Sequence, residues 1–285
     1  MIEQTLNGNR EKYKYFKGNL QVNLQIRGIM HSIAFKLGSN ITIYWYGIMV
    51  ALGFVCAVSM LMFNRKHAKL DSEQISDIAL YGMISGIVGA RIFYVVQFWD
   101  QYRTNLLEIV RIDHGGLVFY GGFICAVSVV IVYCRRKKLA VLNVFDVFGP
   151  AMAIGHAFGR IGCFLNGCCY GKPSDIFCAV RFPEGSAPSM AFPGRNVHPV
   201  QIYEAIFNIV LAAVLMLLLR KAKLKPGMIA SIYLIAYGVA RFLFEFLRGD
   251  HKDFVFSRLT PSQSICLIVA SVGIALLFYC SKRTK

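Results

Sequence analysis

The chain has 285 residues, of which 56% are hydrophobic and 16% charged, too apolar a balance for one water-soluble core to hide; soluble domains are roughly a quarter charged. Its formal net charge of +16 would suit a nucleic-acid binder, but the basic residues are spread between apolar runs, so no nucleic acid is expected and their role is read as topology. A mean hydropathy of +0.53 and runs too long for barrel strands point to an all-α polytopic membrane protein.

Residues 1–40 begin polar, with Arg10, Lys12, Lys14 and Lys17, and hold no apolar core long enough for a secretory signal. From Met30, the stretch MHSIAFKLGSN reads as the short amphipathic lead of a membrane protein. Met30 is therefore expected to be the authentic start, or residues 1–29 a dispensable extension. Residues 30–285 are expected to form a single seven-helix domain.

Seven apolar runs follow, at 41–63, 76–98, 116–134, 143–167, 199–219, 226–247 and 262–280, each close to the ~20 residues that cross a bilayer as a helix. Short connections after the odd-numbered runs are rich in positive charge: Arg65, Lys66 and Lys69; Arg135, Arg136, Lys137 and Lys138; Arg220, Lys221, Lys223 and Lys225; Lys282, Arg283 and Lys285. Connections on the other side are longer and less basic. Because short cytoplasmic loops are enriched in Lys and Arg, the N-terminus is expected outside and the C-terminus in the cytoplasm.

With that orientation the polar residues of the apolar runs gather in the outer half of the bilayer. Tyr44, Trp45 and Tyr46 open the first run, Arg91 lies late in the second, and Gly115, Gly116 and Tyr120 open the third. Arg160 to Gly171 ends the fourth, His198 to Glu204 opens the fifth, and Arg241, Glu245 and Arg248 close the sixth. An ionisable group inside an apolar span is costly and marks a functional site. Arg160 has only His156 one turn away, and two groups able to carry positive charge on one face predict an anion between helices. Arg241 and Glu245, four residues apart, share a helical face and predict a pair. Tyr44 and Trp45 read as an interfacial belt, and Arg248 as a side chain snorkelling to headgroups. The glycines at 115–116, 121–122, 159, 162, 167 and 171 suit close backbone approach or sharp turns near a ligand.

Nine cysteines, an odd number lying mostly in apolar runs, imply no disulfide framework. Cys163, Cys168 and Cys169 lack the CxxC spacing typical of zinc sites, so no metal is expected. They read as packing thiols, with Cys163 open to activation by Arg160 three residues earlier.

From about Met30 to the C-terminus the sequence resembles the prolipoprotein diacylglyceryl transferase family. The resemblance rests on six motifs in order: YWYG at 44–47, GARIFYVV at 89–96, GGLVFYGG at 115–122, GRIGCFLNGCCYG at 159–171, HPVQIYE at 198–204 and YGVARFLFEFLR at 237–248. It implies a multi-pass protein of the bacterial inner membrane that moves the diacylglyceryl group of phosphatidylglycerol to the lipobox cysteine of a preprolipoprotein, releasing glycerol phosphate. The partners implied are phosphatidylglycerol, the lipobox peptide and membrane lipid, with no cofactor or metal. Arg160, Arg241, Tyr120 and Glu204 match catalytic positions. Tyr46, Arg91, Asn166, Gly171, His198, Cys163 and Cys168 are the candidates for substrate binding.

Three of these positions depart from the family's usual residues: Cys163 stands where asparagine is usual, Cys168 where glutamate is, and Tyr120 where histidine is. A tyrosine with a reference pKa of ~10 is a poor base for a thiol near neutral pH. A divergent lipid transferase with a cysteine relay or another acceptor, or a non-catalytic lipid-binding or transport protein, would share the same topology.

Overall fold

In a computed structural model of the protein, residues 32–37, 41–103, 105–111, 115–250 and 259–282 are described; the expected extension over 1–29 and the start at Met30 lie outside them. Each apolar run forms a helix long and apolar enough to cross a membrane. These are α1 (Trp45–Asn64, continued by a 3₁₀ turn to Ala68), α2 (Ser72–Gln97), α3 (Phe119–Arg136), α4 (Val141–Asn166), α5 (Val200–Lys221), α6 (Met228–Glu245) and α7 (Pro261–Lys282). The chain is a multi-pass membrane protein.

The described part of the expected amphipathic lead is a pair of strands. Ile33–Leu37 (β1) and Ile41–Tyr44 (β2) pair antiparallel, with Ile33 opposite Tyr44 and Leu37 opposite Ile41. Alternating β-branched and aromatic residues on both sides of Gly38-Ser39-Asn40 favour a hairpin over a helix of one turn. The first span accordingly starts at Trp45 rather than at residue 41.

Helix α4 is the hub and the most buried of the seven spans. It packs lengthwise against α1 and α5 and crosses α6, with Ala153 and Ala157 fully buried. Small residues permit the approach: a Cβ added at Gly53 of α1 would stand 2.9 Å from the Cβ of Phe158. Helices α2 and α3 form a separate pair through facing glycines; a Cβ at Gly122 would meet the carbonyl oxygen of Gly86 at 2.6 Å. Helices α6 and α7 form another pair across Gly238 and Gly273.

The two poles of the bundle differ. One collects the basic ends of α1, α3, α5 and α7 around a cluster that includes Leu61, Ile75, Ile78, Val130, Val144 and Val147. There Asp71 caps α2 reciprocally with Gln74, and buried Asp146 of α4 accepts the amide hydrogens of Gly227 (2.7 Å) and Ala230 (2.9 Å) at the start of α6. A carboxylate at a helix N-terminus satisfies donors that would otherwise be orphaned. The opposite pole holds the α4–α5 connection, which folds over a cluster of Phe164, Tyr170, Val180, Phe182 and Val197. Backbone hydrogen bonds stitch it together: the amides of Lys172 and Gly249 donate to Leu247 (2.8 Å) and Tyr170 (3.0 Å), and that of Gly171 to His198 (3.0 Å).

Candidate active site

Three helices end or begin at this second pole and carry charge about one to two turns inside it. Arg160 lies six residues before the end of α4, Arg241 four before the end of α6, and Glu204 four after the start of α5. At 1.5 Å of rise per residue these are depths of about 9, 6 and 6 Å along the helices. Of the polar residues expected to gather from separate runs, Arg160, Glu204 and Arg241 meet here.

Glu204 is the joint. Its Oε2 stands 2.8 Å from Nε of Arg160, and its Oε1 stands 3.7 Å from Nη1 of Arg241. Arg241 also donates from Nη1 to Oε2 of Glu245 at 2.6 Å, the pair expected from their four-residue spacing. Glu245 in turn lies 3.5 Å from Nη1 of Arg248 and accepts from the Thr260 hydroxyl at 2.8 Å. Arg248 closes the row with a two-pronged bond to Asp250, Nε to Oδ1 at 2.9 Å and Nη2 to Oδ2 at 2.6 Å. Guanidinium and carboxylate groups thus alternate from α4 through α5 to the loop after α6.

Glu204, Arg241, Glu245 and Arg248 are all buried. Removing such charges from water is expensive, and pairing roughly offsets rather than exceeds that cost. A buried row of this kind is therefore a functional candidate more than a stabilising device. Two of its atoms stay open. Oε1 of Glu204 is buried with no hydrogen-bond donor, and among the described residues the terminal nitrogens of Arg160 have no partner.

The partner of Arg160 differs from expectation. The protein itself supplies an anion, Glu204. His156 is turned aside, with Nδ1 3.0 Å from the Tyr233 hydroxyl and its ring 4.7 Å from that of Tyr237. Arg248 does not snorkel to headgroups, because Glu245 and Asp250 satisfy it in a buried position. Asp250, Thr260 and Tyr237 belong to this neighbourhood and were missed. Tyr237 opens the motif at 237–248 and Asp250 stands two residues after Arg248, whereas Thr260 offered no signal in the sequence.

The other candidates fall into two groups. Tyr120, in the first turn of α3, is half-exposed, and its hydroxyl faces Ser262 of α7 within the fields of Arg241 and Glu245. Tyr46 of α1 packs on Gly162, where an added Cβ would touch its ring at 3.2 Å, and it borders Cys163, Cys168 and Arg160. Asn166, the last residue of α4, lies beside Cys168. Gly167 ends α4 in the left-handed region at φ 71°, and Cys169 follows at φ 61°. The sulfurs of Cys163, Cys168 and Cys169 lie within 4.8 Å of one another. Hydrogen bonds from Cys163 and Cys168 and the charges of Arg248 and Arg160 hold the Cys169 thiol well below its ordinary pKa.

Arg91, Gly171 and His198 lie outside that convergence. Arg91 is buried, and each of its five N–H donors meets a backbone carbonyl of the α2–α3 loop: Ile109 (2.8 Å), Gly115 (2.7 Å), Gly116 (3.0 Å), Glu108 (2.5 Å) and Arg111 (2.9 Å). Gly115 and Gly116 adopt positive φ, and a Cβ at Gly116 would collide with Arg91 and Tyr94. Gly171 packs against the main chain of His198, whose Nδ1 lies 3.4 Å from the Tyr203 hydroxyl.

A family model described as Prolipoprotein diacylglyceryl transferase matches residues 32–279, spanning α1 to α6, most of α7 and every residue of the charged row. The chain belongs to this family. A relative from Clostridium tetani, named phosphatidylglycerol–prolipoprotein diacylglyceryl transferase, is 39% identical over 246 residues, covering 86% of this chain and 96% of its own. Relatives of the same name from Finegoldia magna and Listeria monocytogenes are 36% and 34% identical, covering 85% and 86% of this chain and 94% and 88% of theirs. Within the prolipoprotein diacylglyceryl transferase family, then, this chain places a thiol cluster beside the arginine of α4.

Proposed function

We propose that the chain is a phosphatidylglycerol–prolipoprotein diacylglyceryl transferase of the bacterial inner membrane, working on the lipobox cysteine of preprolipoproteins. The observation that carries this reading is Glu204 bridging Arg160 and Arg241, with the terminal nitrogens of Arg160 open. The basic pole is taken as cytoplasmic and the N-terminus as external, following the distribution of Lys and Arg. The charged row then lies near the outer headgroup plane, where phosphatidylglycerol presents its phosphodiester.

The chemistry suits the row. The acceptor thiol releases its proton to solvent and its sulfur attacks the diacylglyceryl carbon; the bond between that carbon and the phosphate ester oxygen breaks, and glycerol phosphate leaves with the oxygen and the electron pair. The phosphodiester carries one negative charge and the leaving monoester gains a second. Guanidiniums aimed at that oxygen therefore bind the transition state more strongly than the ground state. Arg160 and Arg241 take this role, since a guanidinium stays charged when desolvated and grips phosphate bidentately.

Glu204 sets the spacing of the two arginines, and its open oxygen accepts a hydroxyl of the glycerol headgroup. Tyr120 donates a hydrogen bond from the α3 side. Tyr46, Asn166, Cys163 and Cys168 border the exit of α4 and line the approach of the substrates. Arg91 acts as a positioning residue that holds the loop before Tyr120, while Gly171 and His198 support the stitched pole.

The test is reconstitution of the full chain in vesicles containing phosphatidylglycerol with a synthetic lipobox peptide. Mass spectrometry should find the peptide thioether-linked to diacylglycerol, and no product with Arg160→Ala or Arg241→Ala. Wild-type protein that binds phosphatidylglycerol yet forms no thioether product would overturn the assignment.

A further inference from the structure

The thiols at the end of α4 have no assigned task in the transfer chemistry beyond bordering the substrates, and their arrangement fits another one. Spacing alone argued against a metal because the three cysteines lack the CxxC pattern. The backbone removes that objection. Gly167 turns the chain out of α4 at φ 71°, Cys169 takes a left-handed φ of 61°, and all three sulfurs come within 4.8 Å of one another. A non-glycine residue in this region is uncommon and persists where its surroundings hold it.

The separation fits one ion. Zinc–sulfur bonds of about 2.3 Å in tetrahedral geometry put neighbouring sulfurs about 3.8 Å apart, so a contraction of at most about 1 Å closes the three ligands round a common centre. A second observation concerns charge. The sulfurs sit over the C-terminal end of α4, where the Cys163 carbonyl accepts the Cys168 amide at 3.1 Å and faces the Cys168 sulfur at 3.7 Å. The negative end of a helix favours a cation. The three side chains are half-buried, shielded from bulk water yet reachable. Among the described residues no other three His, Cys, Asp or Glu side chains converge in this way.

We propose that Cys163, Cys168 and Cys169 form a thiolate site for a single Zn²⁺ ion. Each thiol that still carries its proton releases it to solvent as the metal–sulfur bond forms. Three protein ligands leave the fourth position to water or an incoming donor, the pattern of zinc sites that exchange ligands rather than purely structural ones. The soft sulfur set disfavours Mg²⁺ and Ca²⁺, which take oxygen ligands.

The experiment uses the full chain in detergent, reduced under nitrogen, stripped with chelator and re-supplied with Zn²⁺. Elemental analysis should find one zinc per chain, and Cd²⁺ used as a probe should produce a thiolate-to-metal charge-transfer band in the ultraviolet. Both should vanish in the combined Cys163→Ser, Cys168→Ser, Cys169→Ser variant, in which the other six cysteines remain. Should that variant not fold, the wild type still decides: Zn²⁺ should protect these three thiols, and not the others, from alkylation mapped by mass spectrometry. Wild-type protein with all three thiols reduced that retains no zinc overturns the proposal. So does an unchanged zinc content in the triple variant, or alkylation at the three sites that Zn²⁺ leaves unaltered. The readouts are independent of transferase activity, so this inference and the proposed function fail separately.

Discussion

Glu204 of α5 meets Arg160 of α4 at 2.8 Å while its other oxygen, buried and without a hydrogen-bond donor, stands 3.7 Å from Arg241 of α6. One carboxylate therefore holds two guanidiniums from different helices, and a substrate phosphate would meet both at once.

Replacing Glu204 with Gln keeps the shape and removes the charge. Breaking a buried ion pair from one side costs about 3–5 kcal/mol. Glu204→Gln should lower the thermal midpoint in detergent and abolish thioether product. Glu204→Asp, which keeps the charge on a shorter arm, should recover stability more than activity. A Gln variant as stable and active as wild type would remove Glu204 from its place as the joint.

Arg160→Lys preserves a positive charge and discards the fork. Losing one preorganised donor to developing charge costs about 10²–10³-fold in rate. The loss should appear mainly in kcat, because the interaction strengthens as the leaving group forms. Arg241→Lys should behave alike. A variant that raises KM with kcat intact would mean that the arginine binds ground state and transition state equally.

Tyr120 tests the departure from histidine. Tyr120→Phe removes only the hydroxyl that faces Ser262 and should reduce kcat while leaving the protein folded. Tyr120→His should stay active and acquire a new acid limb in its pH–rate profile near the imidazole reference of ~6.5. A Phe variant with full activity would leave the hydroxyl without a chemical part.

Arg91→Lys reduces five donors to three against five loop carbonyls. At about 1 kcal/mol for each hydrogen bond lost, a deficit of about 2 kcal/mol follows. Hydrogen exchange should quicken at residues 105–111 and 115–118 rather than along α4. Unchanged protection there would contradict the anchoring role.

Gly171→Ala places a Cβ 2.5 Å from the Cβ of His198 and 2.6 Å from its carbonyl oxygen. A backbone carbonyl cannot swing aside as a flexible side chain does, so the variant should lose about 1–3 kcal/mol to overpacking. Thermal unfolding followed beside activity should show both falling together.

The spans were legible because a helix in lipid must be apolar along its whole length, and that leaves an unmistakable run. The strand pair Ile33–Leu37 and Ile41–Tyr44 was not, since nine strand residues on either side of one turn signal fit an amphipathic lead equally well. The members of the site could be found one helix at a time from charges such as Arg160 and Arg241 in apolar surroundings. Their connections could not. Glu204 and Arg160 are partners only because α4 and α5 run side by side, which no local pattern encodes. Arg248 was misjudged for the same reason, its burial depending on Asp250 and Glu245 together. Cys163, Cys168 and Cys169 read as packing thiols because their convergence depends on Cys169 adopting a left-handed conformation that its side chain gives no reason to expect.

The stitching at the pole opposite the basic helix ends has a mechanical meaning. Glu204 offsets the like charges of Arg160 and Arg241, which without it would push α4 and α6 apart. Hydrogen bonds from Lys172 to Leu247 and from Gly249 to Tyr170 tie the exits of those two helices through main chain alone. The tether holds regardless of the charge between the arginines, so the gap between α4 and α6 does not depend on their ion pairs alone.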